Sequence, residues 1–264
     1  MRWPEHQVAM LREMGIRLWQ APSAGAEPVV VDEAPPHSTA PPAAASAPIA
    51  ATAPPPVVVP VTVSGARPTG VAAMDWVALR TAVAGCTACG LCKGRKNTVF
   101  GVGNERAHWM LVGEAPGQQE DLQGEPFVGK AGQLLDNMLR AVGLTRADAP
   151  PEQQVFIANV LKCRPPGNRN PEPPEVAQCE PFLKRQVALV QPRLILAMGR
   201  FAVQSLLQTQ DPIGRLRGQV HRYEGVPLVV TYHPAYLLRN PIDKARSWED
   251  LCLAHEVLRR APGA

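Results

Sequence analysis

Trp109-Met110-Leu111-Val112 runs directly into Gly113-Glu114-Ala115-Pro116-Gly117-Gln118-Gln119-Glu120-Asp121, and on to Glu125-Pro126-Phe127-Val128-Gly129-Lys130. The four apolar residues read as a parallel strand buried on both faces. Beyond the loop, Leu134, Leu135, Met138, Leu139 and Val142 recur at helical spacing within residues 131–142. A Gly/Pro-bounded loop between the carboxyl end of a strand and a helix is where open α/β sheets place their ligands. This loop carries the carboxylates Glu114, Glu120 and Asp121 and the ring of Phe127.

The same alternation continues outward. Residues 75–85 predict a helix, with Trp76, Leu79 and Val83 on one side. Residues 154–160 predict a second strand, ending at Asn159 and leading into Leu161-Lys162-Cys163-Arg164-Pro165-Pro166, too rich in proline to be regular. A helix over 174–190, a strand over 193–198 and a short helix over 201–207 follow. Residues 219–223 are expected to pair with 228–232, a core strand that ends at His233-Pro234, and the last helix spans 247–260. Strands alternating with helices predict an α/β fold with a mostly parallel sheet and helices on both faces. Gly113-Glu114, Asn159 and His233 then converge at strand ends, which is how such a sheet builds a pocket.

Composition divides the chain. Twelve of its 29 prolines fall within residues 21–70, a span without Phe, Trp or Tyr, so this stretch reads as a disordered Pro/Ala/Val-rich linker. Before it, residues 1–20 hold a short amphipathic segment (Val8, Leu11, Met14, Ile16, Leu18, Trp19), a candidate docking peptide for a protein partner through residues 5–20. The domain proper is then 71–264, long enough for one well-filled core. No apolar run reaches the ~18 residues of a membrane span, and the N-terminus lacks a signal core. A cytoplasmic monomer is expected. The net charge of +4 permits a nucleic-acid partner without demanding one.

Six cysteines in such a chain point to metal ligation or catalysis before disulfides. Cys86-x2-Cys89 places two thiolates one turn apart, and Cys163 and Cys179 supply a second pair. Spacing alone does not choose between a structural zinc site and a [4Fe-4S] cluster. Cys92 offers a second pairing with Cys89, so the ligand set is not forced. Cys252, between Leu251 and Leu253, reads as a buried small hydrophobe.

Taken together, these pieces resemble the family 4 uracil-DNA glycosylases, the iron–sulfur type of the uracil-DNA glycosylase superfamily. The resemblance rests on Cys86-Thr87-Ala88-Cys89, residues 113–121 and 124–135, Asn159 with Lys162-Cys163-Arg164-Pro165-Pro166, Cys179, and His233-Pro234-Ala235-Tyr236-Leu237-Leu238-Arg239-Asn240-Pro241. It implies a three-layer α/β/α sandwich around a central four-stranded, mostly parallel sheet. It also implies a structural [4Fe-4S] cluster on Cys86, Cys89, Cys163 and Cys179, and hydrolysis of the N-glycosidic bond of deoxyuridine in DNA, leaving an abasic site.

That reaction needs a flipped-out nucleotide, a carboxylate near the developing sugar cation, and donors near the departing base. Glu114 is the candidate carboxylate, with Glu120 and Asp121 in reserve; the alternative for Glu114 is capping of the loop's own N–H groups. His233 would donate to uracil O2, Asn159 would match N3–H and O4, and Phe127 would stack on the ring. Lys130, Leu237, Leu238 and Arg239 are the expected DNA contacts, the leucines as an apolar wedge. Arg164, Arg169, Arg215, Arg217, Lys244 and Arg246 are further phosphate candidates. Two rival functions stand beside this one: a non-catalytic iron–sulfur DNA-binding module of a repair or polymerase complex, and a relative acting on another damaged base.

Overall fold

The computed structural model describes Glu13, Gly65 and residues 68–260. The expected docking peptide and linker therefore lie almost wholly outside the described residues. Six strands form one sheet: β1 (Val102–Gly103), β2 (Trp109–Gly113), β3 (Val155–Asn159), β4 (Leu194–Met198), β5 (Val220–Tyr223) and β6 (Val226–Thr231), in the order β1-β3-β2-β4-β6-β5. The central β3, β2, β4 and β6 are parallel, while β1 and β5 add antiparallel edges. The four-stranded expectation thus describes the parallel centre of a six-stranded sheet. The β5–β6 pairing follows the expected segments, but β1 is two residues long and too short to carry a period.

Among the described residues the α-helices are α1 (Trp76–Ala84), α2 (Gln118–Gln123), α3 (Lys130–Ala141), α4 (Pro173–Val190), α5 (Arg200–Leu207), α6 (Ile213–Leu216), α7 (Pro234–Arg239) and α8 (Lys244–Arg260). Every residue of β2, β3 and β4 is buried, as continuous apolar strands covered on both faces require. Alternate strand residues serve two separate cores. Met110, Val112, Phe156, Ala158, Ile195 and Ala197 pack with α1, α4 and α5. Trp109, Leu111, Val155, Ile157, Leu194 and Leu196 pack with α3, α7 and α8. The period-2 alternation of a strand therefore generates the three layers. Each fully buried Leu, Ile or Phe in them contributes on the order of 1.5–3 kcal/mol.

Two sequence expectations give way to helix geometry. Cys252 is exposed rather than buried, because Leu251 and Ala254 take the core face of α8 and the 3.6-residue period turns position 252 outward. Leu237 is fully buried against the core beneath α7, so it cannot serve as part of an apolar wedge; its neighbour Leu238 is 44% exposed. No described helix is long and apolar enough to cross a membrane.

The parallel register sets the functional edge. Gly113 of β2 lies opposite Asn159 of β3, and Met198 of β4 opposite Thr231 of β6. The residues that follow these ends, Glu114, Gly199 and His233, are thereby brought to one rim.

Candidate active site and cysteine centre

The loop after β2 is held by packing that only small residues permit. A Cβ on Gly113 would stand 2.4 Å from Asn159 Oδ1 and 2.6 Å from Phe127 Cζ. Gly132 is pressed as tightly, since its Cβ would meet the Phe127 carbonyl oxygen at 1.7 Å. Phe127 itself adopts a left-handed backbone, φ 55°, a conformation costly for a bulky residue and found where the surroundings enforce it. The result is a ring seated against the sheet end and stacked on His233, with centroids 5.4 Å apart and planes 28° from parallel.

The three loop acids divide their labour. Glu120 accepts from the backbone N–H groups of Gly117 (3.1 Å), Val128 (3.1 Å) and Gly129 (3.3 Å), so it is Glu120 that ties the loop to itself. Asp121 is buried and accepts from the backbone N–H groups of Lys96 (2.9 Å) and Asn97 (3.4 Å). The carboxylate of Glu114 has no hydrogen-bond or ion-pair partner among the described residues. Burial pushes its pKa up to about 7, against the pull of the Arg200 charge. The capping role open to Glu114 in the sequence falls to its neighbour.

Glu114, Phe127, Asn159 and His233 line one cavity of about 700 Å³, with Arg200, Phe201, Tyr232, Tyr236 and Arg239 around them. That volume suits a nucleotide-sized ligand. Asn159 is 2% exposed and its Oδ1 has no partner. A buried amide oxygen left without a donor is costly unless a ligand supplies one. His233 caps α7: its Nδ1 accepts from the Ala235 N–H at 3.1 Å, which assigns the ring proton to Nε2. Burial, helped by the Arg239 charge, lowers the His233 pKa to about 4, so the imidazole is neutral at physiological pH and keeps one N–H to donate.

Of the other expected contacts, Arg239 lines this cavity, whereas Lys130 is exposed at the start of α3 and Leu238 exposed on α7, both outside its lining. Most of the further arginine candidates are engaged within the fold. Arg169 binds Glu175 at 2.6 Å, Arg217 binds Asp250 at 2.9 Å and Arg246 binds Asp243 at 2.9 Å. Arg164 donates to Asn168 Oδ1 at 2.7 Å, and Arg215 stands 4.0 Å from Asp211. Arg200 is the lining cation the sequence reading omitted. It follows β4 as Glu114 follows β2, and the strand-end rule applied to Leu194–Met198 would have found it.

Cys86, Cys89, Cys163 and Cys179 line a second, small cavity together with Cys92, Arg95 and Lys162. All six cysteines of the chain are free thiols. Arg95 Nη1 donates to Cys163 Sγ at 3.0 Å and the Lys162 N–H to Cys179 Sγ at 3.3 Å. Burial pushes the Cys163 thiol up to about 11 and Cys179 up to about 12, with Arg95 and Lys162 respectively pulling them back. Among the described residues, no three His, Cys, Asp or Glu side chains are grouped as the donor set of a metal ion. Cys92 shares the cavity, so the choice of thiols stays as open as the spacing left it.

Residues 100–254 match the model of the uracil DNA glycosylase superfamily. The chain belongs to that superfamily. Among its glycosylase relatives is the type-4 uracil-DNA glycosylase of Archaeoglobus fulgidus, 47% identical over 164 residues, 59% of this chain and 79% of the relative. The type-4 uracil-DNA glycosylase of Saccharolobus solfataricus is 41% identical over 186 residues, 67% of this chain and 83% of the relative. The type-5 uracil-DNA glycosylase of Pyrobaculum aerophilum is more distant, 32% identical over 170 residues, 60% of this chain and 73% of the relative. The superfamily match spans the pocket and two of the four paired cysteines, Cys163 and Cys179; Cys86 and Cys89 precede it.

Proposed function

We propose that this chain is a DNA-repair glycosylase that hydrolyses the N-glycosidic bond of deoxyuridine in DNA, releasing uracil and leaving an abasic site. The observation that carries this reading is the unpartnered Oδ1 of buried Asn159, in one cavity with the free carboxylate of Glu114 and the neutral His233. Oδ1 accepts from uracil N3–H while the Asn159 amide donates to O4; cytosine presents the opposite pattern and is rejected. Phe127 stacks on the flipped ring. As the C1′–N1 bond breaks, its electron pair leaves with the base, and His233 Nε2–H donates to the charge gathering on O2. Glu114, as a carboxylate, faces the sugar cation, orients the water whose oxygen adds to C1′ and takes up the proton that water releases. No covalent enzyme intermediate is required.

Lys130, Leu238 and Arg239 are the proposed DNA contacts beside the pocket. The cysteine side supports a structural [4Fe-4S] cluster held by Cys86, Cys89, Cys163 and Cys179: soft donors from three segments surround one cavity, and two of the sulfurs accept N–H bonds. When bound, such a cluster supplies a cross-link among the segment after α1, the segment after β3 and α4. Free thiols of this kind suit a reducing cytoplasmic compartment. The proposed organisation is a monomer with a docking peptide at 1–20 for a protein partner, a linker at 21–70 and the glycosylase domain at 71–264.

The test is alkaline cleavage of a uracil-containing oligonucleotide after incubation with the full chain. Scission is expected with the wild type and strongly reduced with Glu114→Ala. Tight DNA binding without scission by the wild type would favour the non-catalytic module instead.

A further inference from the structure

Lys162 lies between the two sites. It is 1% exposed, and its Nζ donates to the Asn159 carbonyl at 2.7 Å and to Gln186 Oε1 at 2.6 Å. Gln186, itself fully buried, donates in turn to the Phe100 carbonyl at 2.9 Å. The Lys162 backbone N–H is the donor to Cys179 Sγ, and its side chain helps line the cysteine cavity. The side chain thus folds back over the turn that joins Asn159 to Cys163.

A buried ammonium is costly unless an anion or full hydrogen bonding compensates it. Among the described residues no carboxylate pairs with Lys162. Gln186 and the Asn159 carbonyl are neutral acceptors. A methionine would fill the same space without that cost, so the charge and its donors call for a purpose beyond packing.

We propose that Lys162 is a positioning residue that, tied to Cys179 Sγ through its backbone N–H and to the Asn159 carbonyl through Nζ, pins the Asn159 backbone and so couples the cysteine centre to reading of the base. This rests on the uracil reading of the pocket. The side-chain amide of Asn159 can meet a base edge only if its backbone is fixed; the pairing with the β2 end runs on through the Val160 N–H to the Gly113 carbonyl (2.9 Å) and the Leu161 N–H to the Glu114 carbonyl (3.0 Å), and Lys162 Nζ adds the bond to the Asn159 carbonyl itself. Filling the cysteine centre fixes Cys179 and, through its bond from the Lys162 N–H, keeps the Lys162 side chain in place.

The experiment compares full-length wild type with Lys162→Met, which keeps the length and removes charge and donors. Four quantities are measured: iron per chain, affinity for free uracil, affinity for an oligonucleotide containing an abasic site, and the ratio of uracil to cytosine release. Lys162→Met is expected to weaken free-uracil binding by about tenfold or more, as loss of a charged hydrogen bond does. Its release ratio should fall while its abasic-DNA affinity stays at the wild-type value, a split that general destabilisation would not produce. Stripping iron from the wild type with a chelator should weaken free-uracil binding similarly, and stripping Lys162→Met should add little. Should Lys162→Met fail to fold, Gln186→Met, which removes one anchor and leaves the charge, is expected to give a smaller loss of the same kind. Unchanged free-uracil affinity in the folded variant, or after stripping, overturns the coupling while a wild type that releases uracil leaves the function intact. A wild type that neither releases nor binds uracil overturns the function reading, and this role with it.

Discussion

The pocket edge and the cysteine centre are joined by residues 159–163, yet they treat their polar atoms in opposite ways. At the pocket, the Glu114 carboxylate, Asn159 Oδ1 and His233 Nε2 have no partner among the described residues. At the cysteine centre, Cys163 and Cys179 accept N–H bonds and Lys162 Nζ has two acceptors. Buried polar groups are ordinarily satisfied, so the Asn159 oxygen, buried and open to the cavity, marks where a ligand can enter, and the satisfied set marks the frame that holds it. The division also runs within the connection from β2 to α3, where Glu120 and Asp121 of α2 bind backbone N–H groups and Glu114, ahead of that helix, does not.

The contrast is broken most directly at His233. His233→Ala is expected to lower kcat by about 10²–10³-fold, the usual cost of one donor to a developing anion, with little change in DNA affinity. Parallel losses in single-turnover rate and in oligonucleotide affinity would make it a frame residue instead. A second test uses adjacent leucines on α7. Leu237→Ala should destabilise the fold by about 2–5 kcal/mol in denaturant unfolding, as a core truncation does. Leu238→Ala should change stability by no more than about 0.5 kcal/mol and show itself in duplex binding. Equal unfolding midpoints for the two variants would contradict the burial difference.

The third test is pH. Glu114 titrates near 7 because burial disfavours its charge, and the proposed chemistry needs the carboxylate. Single-turnover excision should therefore fall as pH drops below about 7. His233, at about 4, stays neutral through that window and adds no second limb. In Glu114→Gln the acid limb should vanish along with most of the activity. A limb that persists in that variant would belong to another group.

Much of this was legible without coordinates, and the reason is local. Continuous apolar runs mark strands buried on both faces, and their ends placed Glu114, Asn159 and His233 at one rim, whereas the part given to Phe127 came from the family resemblance. The Cys86-x2-Cys89 pattern was legible because it is short-range, whereas spacing left open which of the other cysteines join it. What the sequence could not decide was how each polar group is spent. Glu114, Glu120 and Asp121 share one loop and one charge, and only the folded backbone shows which two are consumed by N–H groups. Leu237 and Leu238 are the same residue a step apart, separated by the direction α7 presents to the core. Arg217 found its partner 33 residues on, in Asp250, and Lys162 reached Gln186, 24 residues on, whereas Arg164, Arg169, Arg215 and Arg246 pair close by in the chain. Local period is written in composition and order, whereas the satisfaction of a side chain depends on which distant segments packing brings within hydrogen-bond reach.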